Sequence, residues 1–220
     1  MYLRNLWLAA TGRFGRLQTV SDGYWRQCNS TYLASSGYYA KREAALAETL
    51  GALPALRAAI DIGCGDGRFT RLIAHHAGQT VGYDISSTLI ADARDALRGE
   101  AHLRVQFEVA AIDDVPSLEP VTLVACMGVL SCLVHDGQYA RALKKCTSLV
   151  EPGGYLLLVD TLAENSDVTR AYRGGYVARY RRVDHYEQAI LNAGFSIILR
   201  RTIARMSARS VNNLYLCSRQ

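Results

Sequence analysis

No stretch of the 220-residue sequence approaches the roughly 20 apolar residues that a membrane-spanning helix needs. The apolar start, Met1 to Ala10, carries an arginine and lacks the long apolar region and cleavage site of a secretory signal. The six cysteines (28, 64, 126, 132, 146, 217) include no C-x-x-C pair and no Cys/His cluster of metal-ligand spacing. That pattern excludes a metal centre of the usual kind and leaves reduced thiols in a cytoplasmic protein as the simplest account. There is no internal repeat, low-complexity tract or obvious linker. The chain is too short for two full domains but long enough for one with a sizeable core. Half its residues are apolar and a fifth charged, as in a globular protein.

Acidic residues are scarce in one region. Between Arg170 and Arg209 stand nine arginines (170, 173, 179, 181, 182, 200, 201, 205, 209) against only Asp184 and Glu187. The net charge of +5 is likewise carried almost wholly by arginine. Such an excess attracts an anionic acceptor or partner; a plain solvated basic face is the competing reading.

What the sequence does have is the run Ala59-Ile60-Asp61-Ile62-Gly63-Cys64-Gly65-Asp66-Gly67-Arg68-Phe69-Thr70. It predicts a short buried strand, a glycine-rich turn and the start of a helix. Gly63, Gly65 and Gly67 permit positive φ and close approach of a ligand, and the helix beginning near Arg68 offers unpaired N–H groups. Some 20 residues on, Val81-Gly82-Tyr83-Asp84-Ile85 repeats the strand pattern and ends on a carboxylate, the spacing that lets an acid accept from ribose hydroxyls. These parts describe a nucleoside-binding α/β half.

The dinucleotide fingerprint is G-x-G-x-x-G/A, whereas the glycines here run G-x-G-x-G behind Asp61. Asp61 and Asp66 would repel a pyrophosphate but favour a ligand carrying ammonium and sulfonium charges. Asp61 to Thr70, together with Asp84, resembles the first two motifs of the class I S-adenosylmethionine-dependent methyltransferases. A dinucleotide site, or a glycine turn with no ligand, are the alternatives. The resemblance implies S-adenosylmethionine as cofactor and S-adenosylhomocysteine as product. It places Asp61, Gly63, Cys64, Gly65, Gly67, Asp84 and Ile85 around the cofactor. The segment Ala110 to Pro116 resembles the family's adenine-binding turn, but the usual acid falls on Ala111. The Ile112 amide remains for the ring and Asp113 stands in if the turn is shifted. Met127 ends the fourth strand at the same rim. Tyr38, Tyr39 and Arg42, after the aromatic segment that holds Tyr24, Trp25 and Tyr32, are placed by resemblance near the methionine carboxylate. Core packing accounts for these aromatics equally well.

The remaining pattern predicts an α/β fold: a seven-stranded, mostly parallel, doubly wound sheet with an antiparallel C-terminal hairpin and a helical N-terminal cap. Residues 1–45 form the cap and 46–220 the single Rossmann-like unit. The first 20 residues read as an amphipathic helix broken near Gly12 and Gly15, packed on its own domain or on a second copy in a homodimer, with an interfacial membrane helix as the alternative. Helices are expected over Lys41 to Leu50, Arg68 to His76, Thr88 to Leu97, Tyr139 to Val150 and Val183 to Asn192. Strands are expected at Val105 to Val109, Thr122 to Leu130 and, after the turn Glu151-Pro152-Gly153-Gly154 (a further family landmark), Tyr155 to Asp160. Phe195 to Arg200 and Asn213 to Cys217 close the sheet through a basic segment. Thr161 to Arg182 reads as a long loop with a hinge at Gly174-Gly175.

The implied chemistry is methyl transfer to a small molecule or glycan, O-methylation of an acceptor carrying phosphate or carboxylate first. N-methylation, RNA methylation and a scaffold that has lost catalysis are the alternatives. A hydroxyl acceptor calls for a general base, for which His135 is the first candidate and His185 the second, with Asp136 and Asp160 also near the rim. No N/D-P-P-Y/W motif and no added nucleic-acid-binding domain are present, which argues against a nucleic acid partner.

Overall fold

The computed structural model describes residues 1–30, 34–116, 119–172 and 175–220; Tyr32, Arg173 and Gly174, named above, lie outside them. The apolar run at Ala59–Ile62 is a strand, β1, with all four residues buried. Burial on both faces is what a continuous apolar run predicts for a central strand of a parallel sheet. On one side β1 pairs in parallel with β2 (Thr80–Asp84), and β2 with β3 (Val105–Val109). On the other it pairs with β4 (Val121–Met127), and β4 with β5 (Val150–Ala163).

A short hairpin, β6 (Val168–Ala171) and β7 (Val177–Tyr180), stands apart from the main sheet. A long hairpin, β8 (Phe195–Ser207) and β9 (Ser210–Arg219), completes it in the order β3-β2-β1-β4-β5-β9-β8. Strand β9 inserts antiparallel between β5 and β8, so the sheet has seven strands with one running against the rest.

Seven helices flank the strands among the described residues: α1 (Tyr2–Ala10), α2 (Phe14–Arg26), α3 (Ser36–Gly51), α4 (Arg68–Ala74), α5 (Ser87–Ala96), α6 (Asp136–Ser148) and α7 (Val183–Asn192). Alternate strand residues feed the two faces of the sheet. Ile60, Ile62, Val124, Cys126, Leu156 and Leu158 pack with α6 and α7 side chains such as Leu143 and Ile190. Ala59, Leu123, Ala125, Leu157 and Val159 pack with Leu46 and Leu50 of α3 and Ile73 of α4. Asp61 shares this second face. Strand order reverses between β1 and β4, and a crevice outside the carboxyl ends of the strands is expected there.

Several expectations read differently in the structure. The N-terminal helix breaks once, at Gly12 with φ +67°, and Gly15 continues α2. The segment from Thr161 to Arg182 is not one long loop: β5 runs on to Ala163 and the β6–β7 hairpin follows. The basic segment is not a connector but the extension of β8 and β9, joined by a two-residue turn. Its arginines hid the strand pattern because their acids come from elsewhere. Arg201 pairs with Glu48 of α3 at 2.7 Å and Arg205 with Glu164 at 2.8 Å. The expected boundary at residue 45 lies inside the continuous helix α3.

Gly67 caps α4 at φ +74°, and a Cβ there would sit 2.4 Å from Phe107 Cζ and 3.0 Å from Ala93 Cβ. Gly67→Ala therefore combines left-handed strain with overpacking. A loss of about 3 kcal/mol is expected, read as a drop in Tm of roughly 6–12 °C.

Candidate active site

A cavity of about 660 Å³ opens at the carboxyl ends of β1, β2 and β4. Its floor is the glycine turn, whose backbone amides are already engaged. Gly63 and Cys64 N–H donate to the Tyr83 carbonyl at 2.7 and 3.0 Å, and Gly67 N–H to the Cys64 carbonyl at 3.1 Å. Gly65 N–H donates to Asp84 Oδ2 at 2.9 Å and Arg68 N–H to Asp66 Oδ1 at 3.2 Å. Five of the six N–H groups from residue 63 to 68 are thus spent inside the protein, which leaves no cradle for a pyrophosphate. Gly63 and Gly67 are required by packing rather than by a ligand: a Cβ on Gly63 would meet Val129 Cγ2 at 2.1 Å.

Asp84 lines the cavity with its carboxylate pinned at both oxygens, Oδ2 by Gly65 and Oδ1 by Ser86 N–H at 2.9 Å. Ser86 also caps α5 by accepting from Leu89 N–H. Burial raises the Asp84 carboxyl, and the backbone bonds from Ser86 and Gly65 work against that rise.

Beneath the floor Asp61 is 1% exposed. Its Oδ2 accepts from Thr70 Oγ1 at 2.6 Å, while Oδ1 has no partner. Burial pushes the carboxyl up to about 6, opposed by the Thr70 hydrogen bond and by Arg42. Arg42, from α3, is 8% exposed, lies 4.5 Å over the Phe69 ring and leaves Nε without a partner. Among the described residues no carboxylate lies within 4 Å of it; its hydrogen bond is with the Tyr38 hydroxyl. A buried cation and a buried anion, neither fully satisfied, lie on one side of the cavity. They match a ligand end that carries both charges, such as an amino acid zwitterion.

Of the expected cofactor residues, Gly63, Cys64, Gly65, Asp84, Ile85, Ile112, Asp113, Met127, Tyr39 and Arg42 line this one cavity. Asp61 lies behind the lining and Gly67 serves α4. The histidines are elsewhere. His135 is an exposed residue at the start of α6 whose N–H donates to Gln18 Oε1 at 3.1 Å. His185 is exposed in the first turn of α7, 3.9 Å from Asp167. Neither lines the cavity, nor do Asp136, paired with Arg179 and Arg181, and Asp160, buried under Ser131 and Tyr186.

The other wall is aromatic. Tyr24 and Trp25 of α2 face Tyr172, Tyr176 and Tyr180 of the β6–β7 hairpin. Trp25 stands edge-on to Tyr176 at 5.4 Å, Tyr172 stacks on Tyr176 at 4.8 Å, and the Tyr172 and Tyr180 hydroxyls are 2.6 Å apart. Cys132 ties this wall to the end of β4, donating to the Gly128 carbonyl at 3.1 Å and bonding Tyr176. Burial drives Cys132, Tyr176 and Tyr180 upward, so all three stay protonated at neutral pH. The hairpin escaped the sequence reading because Tyr172, Tyr176 and Tyr180 recur at a helix-like interval of four. The Gly-Gly pair between them was the available hairpin signal.

Residues 59–154 match the family model of a methyltransferase domain. That match takes in 96 of the 220 residues, the part of the chain that carries the glycine turn and Asp84. A curated ubiquinone biosynthesis O-methyltransferase from Bradyrhizobium diazoefficiens is 30% identical over 117 residues, 53% of this chain. The alignment takes in 44% of that relative, so this chain spans less than half its length. The counterpart from Xanthomonas campestris pv. campestris is 27% identical over 190 residues, covering 76% of this chain and 77% of the relative. The crystal structure of 1,6-didemethyltoxoflavin-N1-methyltransferase from Burkholderia thailandensis, with its acceptor and S-adenosylhomocysteine bound, superposes with a TM-score of 0.73. At 14% identity over 95% of this chain and 90% of that one, this likeness is one of fold.

The protein carries Asp61 at a cost to stability. Its folded-state pKa of about 6 lies above the ordinary 3.8, so the folded form holds an extra proton between pH 4 and 6. The penalty is absent below about pH 4, grows as pH rises through 6 and is complete at neutral pH. Asp61→Asn is expected to stabilise the ligand-free protein by roughly 2 kcal/mol at pH 7.5. The gain should shrink as the pH falls and be largely gone in melts at about pH 3.5.

Proposed function

We propose that this protein transfers the methyl group of S-adenosylmethionine to a small planar acceptor. The observation that carries the reading is Asp84, pinned at the rim of the cavity beside the glycine turn, where its remaining lone pairs accept from two ribose hydroxyls. Arg42 takes the methionyl carboxylate, and Asp61 supplies the field that favours the ammonium. The base lies between Ile85 and the Ala110–Asp113 segment. Bound there, S-adenosylmethionine supplies an electrophilic methyl group on its sulfonium. The chain's own part is to hold the acceptor in line with that methyl, and orientation of this kind is worth roughly 7–11 kcal/mol in favourable cases.

The aromatic wall is the acceptor side. Five rings suit a flat apolar molecule better than a glycan rich in hydroxyls. O-methylation is supported by the curated relatives named O-methyltransferases, which extend over 76% of this chain in one case. N-methylation has a specific observation in its favour: among the described residues no histidine lines the cavity, and Cys132, Tyr176 and Tyr180 hold their protons. An acceptor that arrives already nucleophilic, a phenolate or a ring nitrogen, meets both. An anionic acceptor drawn by free arginines has less support, because Arg179, Arg181, Arg182, Arg200, Arg201 and Arg205 are each ion-paired. The same pairing weakens the RNA reading. No described helix is long and apolar enough to cross a membrane.

Calorimetric titration with S-adenosylhomocysteine tests the cofactor assignment. Micromolar binding is expected, with NAD inert and affinity falling roughly a hundredfold in Asp84→Ala as two hydrogen bonds to a charged group are lost. Binding of NAD, or of neither ligand, would overturn it. Trp25→Ala and Tyr176→Ala should leave that affinity unchanged and raise the acceptor KM at least tenfold, by loss of stacking area.

A further inference from the structure

The segment that would face an adenine offers its exocyclic amine no buried side-chain acceptor, and Asp114, like Asp113, is exposed. Position 111 is alanine, and Asp113 is exposed and turned to Arg141, whose Nε lies 3.5 Å from its Oδ2. Burying an amine without an acceptor is costly, so another side chain is required if adenine is to be favoured.

The first turn of α6 supplies one. Gln138 lines the cavity together with Ala111, Ile112, Asp113 and Asp114, and its Oε1 is buried with no hydrogen-bond partner. Arg141 is three residues further along α6, on the same helix face, and it reaches Asp113. Helix α6 packs on the 112–114 turn, so Gln138 shares one wall of the cavity with that turn. The remaining cavity-lining side chains with buried, unpartnered polar atoms are Trp25 on the aromatic wall, Arg42 on α3 and Asn212 of β9. Gln138 is the one carried by the helix that packs on the 112–114 turn.

We infer that Gln138 is the adenine-recognition residue, its Oε1 accepting from the 6-amino group in place of the acid absent at position 111. A carboxamide carries an acceptor and a donor side by side and can engage an adenine edge at two points. It is also neutral, so waiting in the ligand-free cavity costs far less than a buried carboxylate does. Supplied from a helix that follows β4, the contact replaces one that would otherwise come from the loop after β3. The inference rests on the S-adenosylmethionine reading above.

The test compares S-adenosylhomocysteine with its analogue bearing hydrogen in place of the 6-amino group, by calorimetry on the full chain. The wild type should prefer the natural ligand by about tenfold, the worth of one buried hydrogen bond. Gln138→Met, close in shape, should bind both alike at the weaker affinity, and Gln138→Leu should agree with it. Adding Ala111→Asp to Gln138→Met should restore the preference. Asp113→Ala should keep the tenfold preference for the natural ligand whatever it does to the affinity for both, and melting curves establish that each variant is folded. A preference that survives in Gln138→Met, or disappears in Asp113→Ala, overturns the inference and hands the amine to the turn. Should the wild type bind neither ligand, the cofactor assignment itself falls, and Asp84→Ala would then have no binding to abolish.

Discussion

A carboxylate buried inside a four-residue strand is the constraint around which this molecule is arranged. Asp61 is enclosed because β1 is the central strand, covered on both faces. A single threonine hydroxyl satisfies one of its oxygens, and the other is left bare. Packing alone would favour an apolar residue at this position. Its presence becomes intelligible beside Arg42, a cation nearly as deeply enclosed and likewise without a carboxylate within 4 Å among the described residues. The two charges are kept apart by the fold, and a zwitterionic ligand end is what completes both. Much of the surrounding design follows. Helix α4 must start at Gly67 to present Thr70, α3 must run past the strand ends to deliver Arg42, and the glycine turn must spend its amides internally.

The parallel half of the sheet was legible because β1 and β4 are short apolar runs closed by turn signals and β3 alternates apolar with polar residues. Ala59–Ile62 and Val121–Met127 are buried along nearly their whole length, and Ser86 announces its helix by capping it. The acids at 61 and 84 were legible for the same reason, being polar residues fixed in register with the strands that carry them. The β6–β7 hairpin was hidden by the spacing of its tyrosines, and the full extent of β8 by arginines whose partners sit on α3 and after β5. His135 and His185 look reactive in sequence. The helices they begin point them outward, and nothing local in the sequence reports that direction. Gln138 was invisible for the opposite reason: an amide on a helix surface has no pattern until its neighbours are known.

The site also divides along the chain. The segment that matches the methyltransferase family model, 59–154, holds the glycine turn, Asp84, Ile112 and Gln138. The aromatic wall is drawn from outside it, from α2 and from the hairpin after β5. Leu8 of α1 packs with Leu17, Val134 and Val177, so the N-terminal helices brace the hairpin from behind. On the function proposed above, substitution in these outer elements would change the acceptor with little effect on the half that faces the cofactor.

Strand β9 has a consequence for how the chain is made. It is buried along eight of its ten residues and lies between β5 and β8, so the two strands it joins have no contact with each other until it arrives. A growing polypeptide would therefore expose the long edge of β5, rich in leucine and valine, until residues 210–219 had emerged. An open apolar strand edge is a template for aggregation. The vulnerable period for this protein thus falls during its synthesis, and help from a chaperone would matter most just before the final strand closes the gap.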